Sequence, residues 1–335
     1  MTGAGWAHPG PAGRGVSAAP AREEEQLQIR GERGDERDLL AARVESSSAA
    51  ALQLPGPGGR PSFADVDVDA GGGGGGPVRE WDAATYDRVA DPQARWGRVL
   101  LDRLALAGNE TVLDAGCGTG RVAQLLCTRL PEGRVVALDA SQSMLEQARG
   151  RLSGPCQVTF VEADLLDLSP DMLGAHAPVD AVFSTATFHW VTDHDRLFAN
   201  LAAVLRPGGQ LVAQCGGEGN IARLLAAVRS LGVERAGSWH YASPEATTRR
   251  LAAAGFVDAK VWTHVEPTTF APGEQLVDFL EAVCLREHLA TLPADRRRRF
   301  VEAVAAAMPE PVIDYVRLNI VARRGPEHHT NASRA

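Results

Sequence analysis

Apolar positions between residues 81 and 325 follow two periods in turn. Short β-branched and aliphatic runs, at Val112–Leu113, Val135–Leu138, Val158–Val161, Asp180–Thr185 and Leu211–Cys215, read as strands buried on both faces. Between them, apolar residues recur every three or four positions. A helix around Gln93–Leu106 precedes the first strand, and Val122, Leu125, Leu126 and Leu130 mark the helix after it. Leu197, Phe198, Leu201, Val204 and Leu205 share one face of a later helix, which Pro207-Gly208-Gly209 is expected to stop before the fifth strand. Ser243, with Pro244 and Glu245 behind it, opens a helix that runs to Ala254. Alternation from Val257 to Val265 gives a sixth strand, and the run from Val312 to Ala322 a seventh. Strands and helices in this alternation predict an α/β fold, a doubly wound, seven-stranded, mostly parallel sheet. Residues 273–308 are helical and partly charged, and form an insertion before the last strand where a substrate lid is expected.

Residues 1–80 break the pattern. They are rich in Gly, Pro, Ala and charge and close on six glycines at 71–76, the composition of a flexible linker. Glu23 to Val44 could form a polar helix, but without an apolar stripe to bury. The expected organisation is a disordered N-terminal extension (1–80), one folded domain (81–325) and a polar tail (326–335). A start codon assigned too far upstream would equally account for the extension.

Within the domain, Val112-Leu113-Asp114-Ala115-Gly116-Cys117-Gly118-Thr119-Gly120 ends a strand on an acid and turns through three alternating glycines into a helix. Glycines there let the backbone turn tightly and approach a ligand with no side chain between, beside helix N–H groups that have no partner. The order is Gly-x-Gly-x-Gly, whereas a dinucleotide fold wants Gly-x-Gly-x-x-Gly and a pyrophosphate over the helix. A carboxylate at 114 would repel that pyrophosphate but suits an amino group. The second strand ends in Asp139, placed to accept from a ribose diol, and the third leads to Asp164. Three successive strand-end acids therefore describe a ligand with an amine, a ribose and an adenine-like donor. Ser141 is the better cap for the helix after Asp139, which leaves that carboxylate for a ligand. Asp114 could instead hold the loop through backbone amides, and Cys117 is a small residue filling a tight turn.

These residues resemble the class I S-adenosylmethionine-dependent methyltransferases, from about Trp81 to Arg323. The resemblance implies a Rossmann-like methyltransferase fold with Gly116, Gly118 and Gly120 holding the methionine part of the cofactor. It gives Asp139 the ribose hydroxyls and Asp164 the adenine amine. It also lines the cofactor site with Asp114, Cys117, Ala140, Met144, Leu165, Thr185 and Tyr86. Trp81-Asp82-Ala83-Ala84-Thr85-Tyr86, Phe188-His189-Trp190-Val191 and Leu205-Arg206-Pro207-Gly208-Gly209 are similar to the branch containing trans-aconitate and other small-acid carboxyl methyltransferases. That branch usually has Asn where this chain has Thr185. Trp81 and Trp190 are then the candidates for contact with the substrate.

Charge narrows the partners. A formal net charge of −8 argues against nucleic acid, which needs a basic face; the run Arg296 to Arg299 reads as a solvated helix face. No apolar run approaches the ~18 residues of a membrane span, and no signal pattern opens the chain. Five scattered cysteines fit a reducing compartment and no structural zinc, and His328 and His329 read as solvated. The expectation is a cytoplasmic enzyme, monomer or homodimer, without a metal, that takes a small-molecule acceptor.

Methyl transfer leaves the protein mainly to position its reactants. A carboxylate acceptor is ionised at neutral pH and needs a clamp, not a base; a hydroxyl or carbon acid needs a base within reach. His189 is the candidate for either role, with packing over the cofactor or in the core as the other reading. Arg88 and Arg95 could reach an acidic substrate, though helical arginines are mostly solvated. Carboxyl O-methylation is the leading expectation. Hydroxyl, amine or carbon methylation, or a cofactor-binding module without catalysis, are the alternatives.

Overall fold

The strand runs read from the sequence fold side by side. The computed structural model describes residues 83, 87, 91–154, 156–233 and 239–326. All belong to one compact unit, residues 61–335; the other, 1–60, lies outside the described residues, as do the glycine run and the terminal tail. Helix α1 (Asp91–Leu101) leads to β1 (Thr111–Ala115), α2 (Arg121–Arg129), β2 (Arg134–Asp139), α3 (Gln142–Arg151) and β3 (Gln157–Glu162). The chain continues through the single turn α4 (Pro170–Leu173) to β4 (Val179–Thr185), α5 (His194–Val204), β5 (Leu205–Gly216), α6 (Ala222–Ser230) and α7 (Pro244–Ala253). Then come β6 (Phe256–Val265), β7 (Thr268–Thr269), α8 (Glu274–Phe279), α9 (Arg286–Ala290), α10 (Ala294–Ala307), β8 (Val312–Ile313) and β9 (Val316–Arg324).

Among the described residues the sheet has seven strands in the order β3-β2-β1-β4-β5-β9-β6. Strands β1 to β5 pair in parallel, and β9 runs antiparallel between β5 and β6. The chain winds outward from β1 to β3 and returns to β4 on the other side of β1. The chain leaving β1 runs to α2 on one face of the sheet, and the chain leaving β4 to α5 on the other. This is a switch point, at whose carboxyl edge such sheets bind ligands. Alternation along each strand sorts the core. Val112, Val135, Ala137, Ala181 and Phe183 face Leu100, Leu126 and Leu145 of α1 to α3. Leu113, Val136, Leu138 and Val182 face Leu197, Phe198 and Leu201 of α5.

Several expectations are corrected. The first helix ends at Leu101 instead of Leu106, closing in a turn where Arg103 N–H bonds Leu100 O at 3.0 Å. The helix before the fifth strand ends at Val204, and Pro207-Gly208-Gly209 lies inside a twelve-residue β5. Asp180 makes that possible: its carboxylate accepts from Arg206 Nε at 2.6 Å and holds the irregular start of β5 against β4. The seventh strand is broken into β8 and β9 because Asp314 is used elsewhere. Its carboxylate accepts from Arg223 N–H at 3.0 Å and its carbonyl from Ile221 N–H at 3.1 Å, which caps α6, a helix the apolar pattern did not reveal. The insertion at 273–308, where a substrate lid is expected, is packed. Phe279, Leu280, Phe300, Val301 and Val304 pack with Leu224 and Val228 of α6 in a core of their own. Finally, Cys127 and Cys156 are joined in a disulfide with Cα atoms 5.4 Å apart, which their scatter in the sequence does not suggest.

Candidate active site

Each glycine of the loop has a separate structural reason, and all three have positive φ. A Cβ on Gly116 would lie 2.2 Å from Thr187 Oγ1, in the loop that follows β4. One on Gly120 would press on the Ala148 backbone at 3.2 Å, where α3 crosses the start of α2. At Gly118 a Cβ would meet no atom within 4 Å, so its approach is open. The loop's own amides fix its shape. Gly116 and Cys117 N–H both bond Leu138 O, at 2.8 and 2.9 Å, and Gly118 N–H bonds Asp139 Oδ2 at 2.8 Å. Cys117 is buried and burial pushes its thiol well above the usual range, in keeping with a filler and not a nucleophile.

The three acids sit at neighbouring strand ends but in different surroundings. Asp139 accepts from Gly118 with one oxygen and from Ser141 N–H at 3.0 Å with the other. Ser141 itself caps α3 through Met144 N–H at 3.3 Å. Asp139 thus ties loop to helix at the carboxyl end of β2. Ala140 is half-buried beside it, and Met144 is buried in the first turn of α3. Asp164 is exposed and turns the chain by accepting from Leu166 N–H at 2.8 Å with Oδ1. Leu165 packs its side chain into the core and gives its carbonyl to Asn200 Nδ2 at 3.0 Å. Asp114 is buried between its sheet neighbours Ala137 and Phe183. Burial first, and the Asp139 charge second, push its carboxyl up to about 7. It does not hold the loop through its buried Oδ2, which has no hydrogen-bond partner.

At the end of β4, Thr185 Oγ1 is likewise buried without a partner. Ala186 then takes the left-handed conformation, φ 58°, which costs a residue with a Cβ about 1 kcal/mol or more. A 3-10 turn, Phe188–Trp190, follows. His189 is buried, and its Nδ1 accepts from Gly216 N–H at 3.3 Å, so its proton is on Nε2. Burial, then Arg317 and His194, hold its pKa down to about 3. These surroundings disfavour the imidazolium, so the ring is neutral and only weakly basic, with its Nδ1 lone pair engaged by Gly216. The ring stacks on Tyr241 at 5.9 Å, and half-buried Trp190 stands 5.2 Å from it and 5.9 Å from Trp239. The turn after β4 thus builds an aromatic wall of His189, Trp190, Trp239 and Tyr241.

Two residues at this edge were not found from the sequence. Asp87 lies upstream of α1 and grips the glycine loop, accepting from Thr119 Oγ1 and Arg121 Nε at 2.8 Å each and from Arg151 at 2.7 Å. Burial pushes its carboxyl up, but these donors outweigh burial and hold it at about 2. The aromatic pattern around Tyr86 drew attention from its acidic neighbour. Arg317, the second residue of β9, is fully buried, its Cζ 3.9 Å above the Trp96 ring. An arginine within a strand pattern gave no sign of being internal. Arg95 is mostly exposed and pairs with Glu266 at 2.8 Å, so it is a surface ion pair. Trp81, Tyr86 and Arg88 lie outside the described residues.

A family model described as a methyltransferase domain matches residues 112–209. The trans-aconitate 2-methyltransferase of Methylobacterium nodulans is 32% identical over 267 residues, which cover 74% of this chain and 99% of that protein. That of Acidovorax sp. (strain JS42) is 31% identical over 274 residues, 74% of this chain and 100% of that one. The solved structure of the YcgJ protein from Bacillus subtilis superposes with a TM-score of 0.50 at 16% identity, over 70% of this chain and 99% of that one, a likeness of fold. Among the described residues no helix is long and apolar enough to cross a membrane.

Proposed function

The chain belongs to the S-adenosylmethionine-dependent methyltransferase family of these relatives, and on that premise we propose that it methylates a carboxylate oxygen of a small organic acid. The residues present fit the donor. Asp114 Oδ2 and Thr185 Oγ1 are buried without partners, and Gly118 leaves open a space that any Cβ would fill. Asp114 would meet the amino group, Asp139 the ribose hydroxyls and Asp164, through the oxygen not used by Leu166, the adenine amine. S-adenosylmethionine, when bound, supplies an activated methyl carbon and a good leaving group. The chain's own residues have to orient the acceptor and exclude water.

The observation that carries the carboxylate reading is the state of His189. It follows the end of β4, yet burial leaves its ring only weakly basic, and its Nδ1 lone pair is already taken by Gly216. Asp114, whose carboxyl is raised to about 7, lies in β1 under the glycine loop on the cofactor side. A hydroxyl or carbon acid would find no base on the acceptor side among these groups. A carboxylate is already ionised and asks only to be positioned. The acids methylated by the relatives named above are of this kind. Incubation with methyl-labelled S-adenosylmethionine and a panel of di- and tricarboxylic acids, phenols and amines tests the reading. Label in the acids supports it; label in phenols or amines alone overturns it.

A further inference from the structure

We propose that Arg317 binds a carboxylate of the acceptor other than the one methylated, so that the substrate is a di- or tricarboxylic acid. This rests on the carboxylate reading above and names the residue that would enforce it. Three observations meet at one side chain. Arg317 is 2% exposed, so its charge is out of water. Its Nη2 is buried and has no hydrogen-bond partner among the described residues. Among the described residues no carboxylate forms an ion pair with it; Glu266, the acid whose field it feels, is already shared by Arg95 at 2.8 Å and His264 at 3.2 Å. Its other contacts are neutral: Nε donates to Gln214 Oε1 at 3.3 Å, and the guanidinium lies over Trp96.

A guanidinium stays protonated even when buried, and a buried charge without a counter-ion is a cost that apolar residues of similar volume avoid. Cation–π attraction to Trp96 offsets part of it. An anionic ligand would complete the pair, and a carboxylate matches the planar fork of a guanidinium. Position agrees with this. Because β9 is antiparallel, its first residues lie at the carboxyl edge of the sheet, and Arg317 pairs in register with Gly216, the residue that donates to His189. Strands β4 and β5 separate β9 from β1, so Arg317 stands about 14 Å along the sheet from the glycine loop. That distance separates it from the acids of the cofactor site and puts it on the side of the aromatic wall. The carboxylate it holds is not the reacting one. A carboxylate in a forked pair has its lone pairs engaged, and its ester would leave the guanidinium unpaired again.

The test uses the full chain saturated with S-adenosylhomocysteine, with trans-aconitate as a tricarboxylate probe and crotonate as the monocarboxylate. Wild type should bind trans-aconitate far more tightly than crotonate. Arg317→Met should weaken trans-aconitate binding by about 100-fold or more, as loss of one partner of a buried charged pair does, while affinity for S-adenosylhomocysteine is unchanged and Tm is kept or raised. Arg317→Lys, which keeps charge and volume should the methionine variant not fold, should lose about tenfold with the loss of the fork. Trans-aconitate binding unchanged in the folded variant overturns the inference alone. A fall in Tm together with lost S-adenosylhomocysteine binding does the same, because it makes Arg317 a structural residue. If wild type binds neither acid and methylates none of the acid panel, the carboxylate reading itself falls.

Discussion

Thr187 fills the space that any side chain at Gly116 would need, since a Cβ there would lie 2.2 Å from its hydroxyl oxygen. That hydroxyl also donates to Gly116 O at 3.2 Å, which locks the loop after β4 onto the glycine loop after β1. Gly116→Ala must strain a φ of +83° and displace Thr187 together, a loss of about 2–5 kcal/mol. Gly118→Ala meets only the backbone penalty of about 1–2 kcal/mol, because nothing stands within 4 Å. Thermal melts should show the first variant much the less stable. Calorimetry should show that Gly118→Ala folds yet no longer binds S-adenosylhomocysteine. Normal binding by Gly118→Ala would mean that the open space is not the cradle.

Asp139→Ala removes the acceptor of both Gly118 and Ser141 N–H and the anchor offered to the ribose. A charge-assisted hydrogen bond contributes about 1.5–3 kcal/mol, so affinity for S-adenosylhomocysteine should fall by about 10- to 100-fold. Isothermal titration reads this directly, and an unchanged affinity would reduce Asp139 to a loop fastener.

Asp114 makes cofactor binding depend on pH. Its folded pKa is raised to about 7 from an ordinary 3.8. The protonated form therefore stabilises the fold below the ordinary value, and that contribution is lost as pH rises from about 4 through about 7. A ligand ammonium prefers the ionised form. Affinity for S-adenosylhomocysteine should thus fall as pH is lowered through about 7, by up to tenfold per unit. Asp114→Asn should bind weakly with a flat profile; a wild-type profile equally flat between pH 5 and 8, about the range that such a group would control, would contradict the contact.

Much of this site could be read from the sequence because it is built from local pattern. Asp114 and Asp139 close apolar runs and Asp164 follows one by two residues, and a parallel sheet brings the ends of such runs to one edge. What stayed hidden depends on partners distant in the chain. Arg317 is internal only because β9 inserts between β5 and β6 and because Trp96 covers it from α1. The last strand breaks only because Asp314 serves α6. Cys127 and Cys156 meet only because α2 packs on the face of the sheet that Val158 and Phe160 of β3 present, and Cys156 leads directly into that strand. His189 looked like a candidate base because residue type carries no record of burial.

His189 should leave no mark on the pH dependence of catalysis. With its pKa near 3, kcat/KM for a carboxylate acceptor should show no limb near pH 6.5, the usual histidine value, that belongs to this ring. His189→Asn, which can still accept from Gly216, should keep most of the activity. A limb near that pH in wild type that vanishes in His189→Asn would restore the ring as a general base.

The most direct measurement is the chemical nature of the product. Protein supplied with methyl-labelled S-adenosylmethionine and trans-aconitate should yield a labelled acid that releases labelled methanol under mild alkali, as a methyl ester does and an ether or methylamine does not. Alkali-labile label from wild type, formed more slowly by Asp139→Ala at limiting S-adenosylmethionine, is the predicted result. Label that survives alkali, or no transfer to any di- or tricarboxylic acid, would contradict the account.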